Sequence, residues 1–284
     1  MTPVPFEKRP GVGIVAQSGA MQTTLRLSMQ GKDVAVSYAI STGNEADLCA
    51  EDFLAFLVAD PQTRVIAMFA EQIRHPQAFL RLAREARAAG KPIVLMHPGR
   101  SARAQASALS HTGAMTGDYA VMATLVAREG VVMVQTLEEL VDSAEMLLRF
   151  PQAPTRGVGL VTNSGAFKGY AIDFCEAIGL ALPEIASATV EKVKAFLPDF
   201  AALENPLDTT AMSLRDPTIL GRSVAALLED PAVGSAVAAV IPGSPAIVTA
   251  RAKAVVCAYD RSKPFAVSVF GDESPLPRSE EHTS

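Results

Sequence analysis

Four stretches of this sequence carry residue types and spacings suited to chemistry on an anion. Two are turns of the same make, Ser18-Gly19-Ala20 and Ser164-Gly165-Ala166, each set between a β-rich run and a helical one. Glycine lets the backbone come close to a ligand. The first N–H groups of the helix that follows have no intrahelical partner, and the helix dipole adds roughly half a positive charge there. A phosphate can sit on such an end, helped by the Ser18 or Ser164 hydroxyl. The plainer account of each turn is a capped helix, serine being a favoured cap. The third stretch is SHTGAMTGD, Ser110–Asp118, in which Ser110, Thr112, Gly113 and Gly117 surround His111. These small neighbours leave room for a phosphoryl group on the imidazole, although a lone loop histidine is ordinarily an exposed bystander. The fourth is Glu71, closing the apolar run RVIAMFA. A carboxylate there can accept a hydrogen bond from one imidazole nitrogen and leave the other free to react; otherwise it is a solvated strand-end residue.

Other polar stretches read more plainly. STGNEAD, Ser41–Asp47, holds a Gly43-Asn44 turn signal, and Asn44 either aims its amide at a ligand or caps the next helix. NPLD, Asn205–Asp208, reads as a rigid turn. His75 precedes a proline in a strand-to-helix turn. His97 precedes Pro98 at a strand end, near enough to the sheet edge to touch a ligand but without a supporting partner. Asn44, Ser110, Thr112 and Gly113 are the residues expected to line a substrate pocket. No G-x-G-x-x-G follows the first strand, no P-loop lysine is present, and no spacing of metal ligands occurs.

The elements that must position these groups alternate. Strands are expected at Val12–Ala16, Val34–Ile40, Val65–Ala70, Pro92–Met96 and Val131–Val134. Helices are expected at about Gly19–Gln30, Ala50–Val58 with Asp47 as cap, Gln77–Ala89, Tyr119–Arg128 and Leu137–Arg149. Short continuous apolar strands between helices predict a doubly wound, mostly parallel sheet in an α/β fold. His111 and Glu71 then fall at the carboxyl edge of the sheet, where such folds bind ligands. RFPQAPTR, Arg149–Arg156, marks a linker, after which the pattern restarts. The second half predicts strands at Val158–Thr162, Val237–Ile241 and Phe265–Val269. It predicts helices at Ala166–Ile178, Thr189–Phe196, Pro217–Leu228 and Ala246–Tyr259. GVGIVAQSGAM (Gly11–Met21) and GVGLVTNSGAF (Gly157–Phe167) agree at seven of eleven positions, which argues for two related domains rather than a chance likeness of turns. The expected organisation is an extension over 1–10, one domain over 11–150, a second over 151–277 cut at its C-terminal side, and a tail over 278–284. The tail, RSEEHTS, is also what a sequencing adapter encodes in one frame, so it reads as artefactual and His282 as without a role.

Composition narrows the function classes. Apolar residues make up 49% and charged residues 19%, which excludes a disordered chain. No apolar run reaches the roughly 18–20 residues of a membrane span, and MTPVPFEKRPG lacks the apolar core of a secretory signal. A net charge of −5 with no basic run argues against a nucleic-acid surface. Cys49, Cys175 and Cys257 read as buried free thiols in a reducing cytoplasm.

The motifs AQSGA (Ala16–Ala20), STGNEAD, the strand-end Glu71, GRSARA (Gly99–Ala104), SHTGAMTGD, TNSGA (Thr162–Ala166) and NPLD together resemble the α-type portion of ADP-forming acetate–CoA ligases. More distantly they resemble the succinyl-CoA synthetase α subunit. The resemblance runs from about Gly11 to Phe270. It implies two flavodoxin-like, succinyl-CoA synthetase-like domains. It implies that His111 is phosphorylated, that Glu71 holds its ring, and that the helices starting at Ser18 and Ser164 flank the phosphohistidine with their positive ends. It further implies CoA and ATP/ADP as substrates with Mg²⁺, a small carboxylic acid, an oligomer, and, as partners, a CoA-binding domain and an ATP-grasp domain or subunit. Neither partner domain is visible in this sequence, so the chain is expected to be cut at both ends, to fold, and to be inactive alone. His97 stands where relatives often have lysine. Two other readings stay open: a ligase-like regulatory module of a protein acyltransferase, and a non-catalytic CoA- or anion-binding module.

Overall fold

The computed structural model describes residues 9–101, 103–104, 118–241 and 243–269. Ser110, His111, Thr112 and Gly113, and the tail over 278–284, lie outside the described residues. The chain divides into two compact units, Met1–Gln152 and Ala153–Ser284.

In the first unit the strands are β1 (Gly11–Ala16), β2 (Val36–Ser41), β3 (Thr63–Phe69), β4 (Ile93–Met96) and β5 (Val132–Val134). They pair in parallel in the order β2-β1-β3-β4-β5, the flavodoxin-like order with its switch point between β1 and β3. The helices are α1 (Gly19–Gly31), α2 (Ala50–Ala59), α3 (Pro76–Ala88), α4 (Tyr119–Arg128) and α5 (Leu137–Arg149). β1 is buried along its whole length, and its side chains alternate between two cores. Val12, Ile14 and Ala16 pack with Leu25 and Met29 of α1 and Leu140 and Ala144 of α5. Val15 packs on the other face with Leu54 of α2, Phe79 and Leu82 of α3 and Val126 of α4. A strand covered on both faces has no polar side to show, which is why it reads as an unbroken apolar run.

The second unit holds β6 (Gly157–Thr162), β7 (Leu207–Asp208), β8 (Val233–Val240) and β9 (Phe265–Val269), parallel in the order β7-β6-β8-β9. Its helices are α6 (Gly165–Ala177), α7 (Ser187–Lys194), α8 (Met212–Arg215), α9 (Thr218–Glu229) and α10 (Pro245–Ala258). The order matches the first four strands of the first unit, so the repeat seen in sequence is a repeat of topology. The sequence pattern missed β7 and α8. Each is too short to show a period, and β7 needs its neighbour to exist: Asn205 Oδ1 accepts from Leu160 N at 2.8 Å, and Asn205 Nδ2 donates to Val158 O at 2.8 Å and Pro183 O at 3.1 Å. The NPLD turn is therefore stitched to β6 by a side chain doing the job of a backbone.

The paired GVG triplets have a packing cause. A Cβ on Gly11 would stand 2.1 Å from Ala35 O, and one on Gly157 2.6 Å from Pro183 Cδ. Gly13 and Gly159 likewise sit against Leu57 and Val233, with under 3.2 Å to spare for a Cβ.

Two expectations change here. α2 is capped by Cys49, not Asp47: Cys49 N donates to Asp52 Oδ2 at 2.8 Å, and its thiol reaches the same oxygen at 3.1 Å. Cys49 and Cys175 are buried but Cys257 is exposed, because it falls on the outer side of α10 rather than on the stripe of Val248, Arg251 and Val255. No helix among the described residues is long and apolar enough to cross a membrane.

The close approach at Gly11 predicts that Gly11→Ala destabilises the first unit by about 2–3 kcal/mol, read as a lower denaturant midpoint with an unchanged slope.

Candidate functional site

Strand register puts the candidate residues on one edge. Ala16 pairs with both Ser41 and Phe69, Phe69 with Met96, and Met96 with Val134, so the carboxyl ends of the five strands finish level. Gln17, Thr42, Glu71 and His97 are the residues that follow.

Gln17 organises this edge. Its Oε1 accepts from Glu71 N at 2.5 Å and Gln72 N at 2.9 Å, and its Nε2 donates to Gln72 O at 2.7 Å and Glu45 Oε1 at 2.8 Å. Glu45 is buried and sits in left-handed backbone (φ +54°). Such a conformation costs a non-glycine residue of order 1–3 kcal/mol and persists only when its surroundings hold it. They do: Glu45 Oε1 also accepts from Thr42 Oγ1 at 3.0 Å and Ala50 N at 2.9 Å, and Oε2 from Arg74 Nε at 3.0 Å. Arg74 reaches on to Asn44 O at 3.0 Å. Sequence reasoning passed over Gln17, Glu45 and Arg74; the signal available was that Gln17 and Asn163 hold the same place in the two repeats.

The second unit confirms that this place has a job. Asn163 Oδ1 accepts from Ile241 N at 2.9 Å and Asn163 Nδ2 donates to Ile241 O at 2.9 Å. Ile241 follows β8 as Glu71 follows β3. Both units also share a backbone bond from the β2-like loop, Thr42 N to Ala16 O at 3.0 Å and Thr209 N to Thr162 O at 2.8 Å. The next residue has positive φ in each, +57° at Gly43 and +55° at Thr210.

The two Ser-Gly-Ala turns both begin helices, but they are not electrostatic equals. Ser18 caps α1, its Oγ accepting from Met21 N at 3.4 Å, whereas Ser164 at the start of α6 makes no side-chain cap bond. A Cβ on Gly19 would meet the Ser41 hydroxyl at 3.6 Å; one on Gly165 would meet Asp208 Oδ2 at 3.4 Å. The amide end of α6 therefore already faces a carboxylate, and that of α1 faces a neutral group. Gly19 and Ala20 are exposed, as are Gly165 and Ala166.

Glu71 is half-buried, and among the described residues its carboxylate has no recorded hydrogen bond. Asn44 is exposed and gives the network only its backbone carbonyl; it does not cap α2. His75 heads α3, its N–H donating to Glu51 Oε1 at 2.8 Å. His97, in contrast to the expectation, is supported: Nδ1 lies 2.5 Å from Pro98 O, and the ring meets Tyr119 edge-on at 5.9 Å. Burial holds its pKa below the usual histidine value, against an upward pull from the Pro98 carbonyl and the Glu71 charge. A cavity of about 280 Å³ joins Glu71, Gln72 and His97 to Asp118 and the apolar sides of α3 and α4. Cys49, the buried thiol nearest this edge in sequence, is held in its protonated form: burial first, then the Asp52 and Glu51 carboxylates, push it up to about 12. Among the described residues no cluster of His, Cys, Asp and Glu could hold a metal ion.

The first unit is thus a doubly wound α/β domain whose carboxyl edge finishes level at a β1/β3 switch point. Residues 9–147 belong to the family described as the succinyl-CoA ligase like flavodoxin domain. Relatives extend the likeness into the second unit. The chain is 47% identical over 234 residues to trans-feruloyl-CoA synthase FCS1 of an unknown prokaryotic organism, covering 82% of this chain and 33% of that protein. It is 32% identical over 213 residues to the acetate–CoA ligase [ADP-forming] I subunit alpha of Pyrococcus furiosus, covering 74% of this chain and 45% of the subunit. Among solved structures it matches the dinucleotide-forming acetyl-coenzyme A synthetase 1 of Ca. Korarchaeum cryptofilum, solved in complex with phosphate and ADP, with a TM-score of 0.83 and 26% identity over 96% of this chain and 59% of that one. The matched part thus spans a third to three-fifths of these relatives.

The Gln17 amide predicts a local effect. Gln17→Leu speeds amide hydrogen exchange at Glu71 and Gln72 roughly tenfold or more, and Asn163→Leu does the same at Ile241, each without changing the other unit.

Proposed function

We propose that this chain is the phosphoryl-carrying part of an ADP-forming acid–CoA ligase, with His111 as the carrier. In the synthetic direction ATP gives its γ-phosphoryl group to His111 and leaves as ADP. The P–N bond then breaks as a carboxylate oxygen of the acid takes the phosphoryl group, forming an acyl phosphate. The CoA thiolate attacks the acyl carbon, and phosphate leaves with the electron pair of the C–O bond. Each step reverses.

The observation that carries this reading is the Glu71 carboxylate at the end of β3, without a hydrogen-bond partner among the described residues, with His111 following the adjacent strand β4 in sequence, inside a stretch that matches the succinyl-CoA ligase like flavodoxin domain. Glu71 accepts a hydrogen bond from one ring nitrogen and so leaves the other nucleophilic. The amides at the start of α1, Ser18 to Ala20, receive phosphoryl oxygens. Ser164 to Ala166 at the start of α6 serve the same chemistry more weakly, because Asp208 already faces that end. Asn44, Ser110, Thr112 and Gly113 line the substrate pocket. The work of these groups is positioning and charge stabilisation.

CoA, ATP or ADP, and Mg²⁺ are bound mainly by further parts of the enzyme, a CoA-binding domain and an ATP-grasp domain or subunit. The Pyrococcus relative, named as an α subunit, supports such a division. The 47% identity to a feruloyl-CoA synthase supports an aromatic acid as substrate.

Incubated with γ-labelled ATP, the full-length enzyme takes up an acid-labile, base-stable label that His111→Ala abolishes. Glu71→Gln lowers the rate of labelling by roughly 10²-fold while leaving the folded signal intact. Undiminished labelling in His111→Ala overturns the reading.

A further inference from the structure

The cavity of about 280 Å³ between α3 and α4 has walls unlike those of a site for a small aliphatic acid. Ile73, Phe79, Tyr119, Val121 and Met122 make it apolar and partly aromatic, and His97 lines it at the carboxyl side of β4. A concave, mostly apolar and partly aromatic lining with a few fixed polar groups is the form of small-molecule sites. The Asp118 carboxylate, also on the lining, is engaged as the cap of α4, accepting from Ala120 N at 2.8 Å. Of the other polar residues on the lining, Glu71 is assigned to the His111 ring, and Gln72, Tyr119 and His97 remain to address a ligand; His97 lies nearest the end of β4.

Its tautomer follows from its partner. A carbonyl only accepts, so the 2.5 Å contact with Pro98 O places the proton on Nδ1. Burial keeps the ring neutral, the Glu71 charge opposing this without reversing it. Nε2 therefore offers a lone pair. Acetate or an alkyl acid has no donor to meet it, whereas a hydroxyl on an aromatic ring donates to it.

We propose that this cavity receives the ring of a hydroxylated aromatic carboxylic acid, with His97 Nε2 accepting the hydrogen bond from the ring hydroxyl. The proposal deepens the ligase reading and rests on it. His97 acts as a specificity determinant, distinct from the phosphoryl chemistry assigned to His111 and Glu71. Val121, on the lining, is 55% exposed, so the cavity reaches solvent beside α4.

The test uses the full-length enzyme with 4-hydroxycinnamate and with cinnamate, which differ only in the hydroxyl. Wild type favours the hydroxylated acid roughly tenfold in kcat/KM. His97→Phe brings the ratio close to one, mostly through KM, and His97→Gln, whose amide oxygen accepts, restores part of it. Val121→Trp, a change at an exposed position that folding tolerates, raises KM for both acids roughly tenfold by filling the cavity. Equilibrium binding of 4-hydroxycinnamate, followed by its own absorbance, is read on the same variants, so the cavity is tested even without turnover. Absence of ATP-dependent label on wild-type His111 refutes the ligase reading. Label present with an acid ratio untouched by His97→Phe, or binding untouched by Val121→Trp, refutes the cavity assignment alone.

Discussion

Where a parallel strand ends, the ladder stops and the next backbone groups must find partners elsewhere. Here a side-chain amide supplies them. Gln17 leaves β1 and takes both N–H groups and the carbonyl of the Glu71–Gln72 segment that leaves β3, so the spacing between the two strands is carried past the sheet and into the loops. The same amide holds Glu45 Oε1, and Glu45 in turn holds Arg74, Thr42 and the start of α2. The buried carboxylate survives because every bond it makes is charge-assisted or to a helix-start amide. Without Gln17, Glu71 would hang on an unpaired turn and Glu45 would lose a partner in a site that water reaches poorly.

The second unit repeats the arrangement with different residues. Asn163 replaces Gln17, Ile241 stands for Glu71, and Thr210 adopts the positive φ of Gly43. What is not repeated is the charge. Ser41 beside α1 becomes Asp208 beside α6, so one helix start is left positive and the other is partly neutralised. Two turns with nearly the same sequence thus differ in the charge beside their helix starts because of a residue more than forty positions away from the second of them.

Most of the fold was legible in the sequence because it is written in short-range signals. The apolar runs of β1, β3 and β8, the Pro76 and Gly90 punctuation of α3, and the doubled GVG–SGA pattern each show themselves within a dozen residues. β7 and the Gln17 clamp did not, since both depend on partners 45 to 55 residues distant. Glu71 falls at the carboxyl edge where the strand pattern puts it, but the support of His97 by Pro98 and Tyr119 was missed; one partner is a backbone carbonyl and the other opens a later helix. The exposure of Cys257 was missed for a simpler reason: an apolar helix such as α10 gives little warning of which side faces out.

The Gln17 clamp grips Glu71 and Gln72 through their main-chain atoms alone. Their side chains are therefore free to be exchanged without loosening the loop, and the same holds for Ile241 under Asn163. A scaffold of this kind separates where a reacting group stands from what that group is. Descendants of one ancestral unit can then trade substrates by point substitution while the frame stays put, and a laboratory seeking a new acid specificity can randomise the lining and leave the two amides alone.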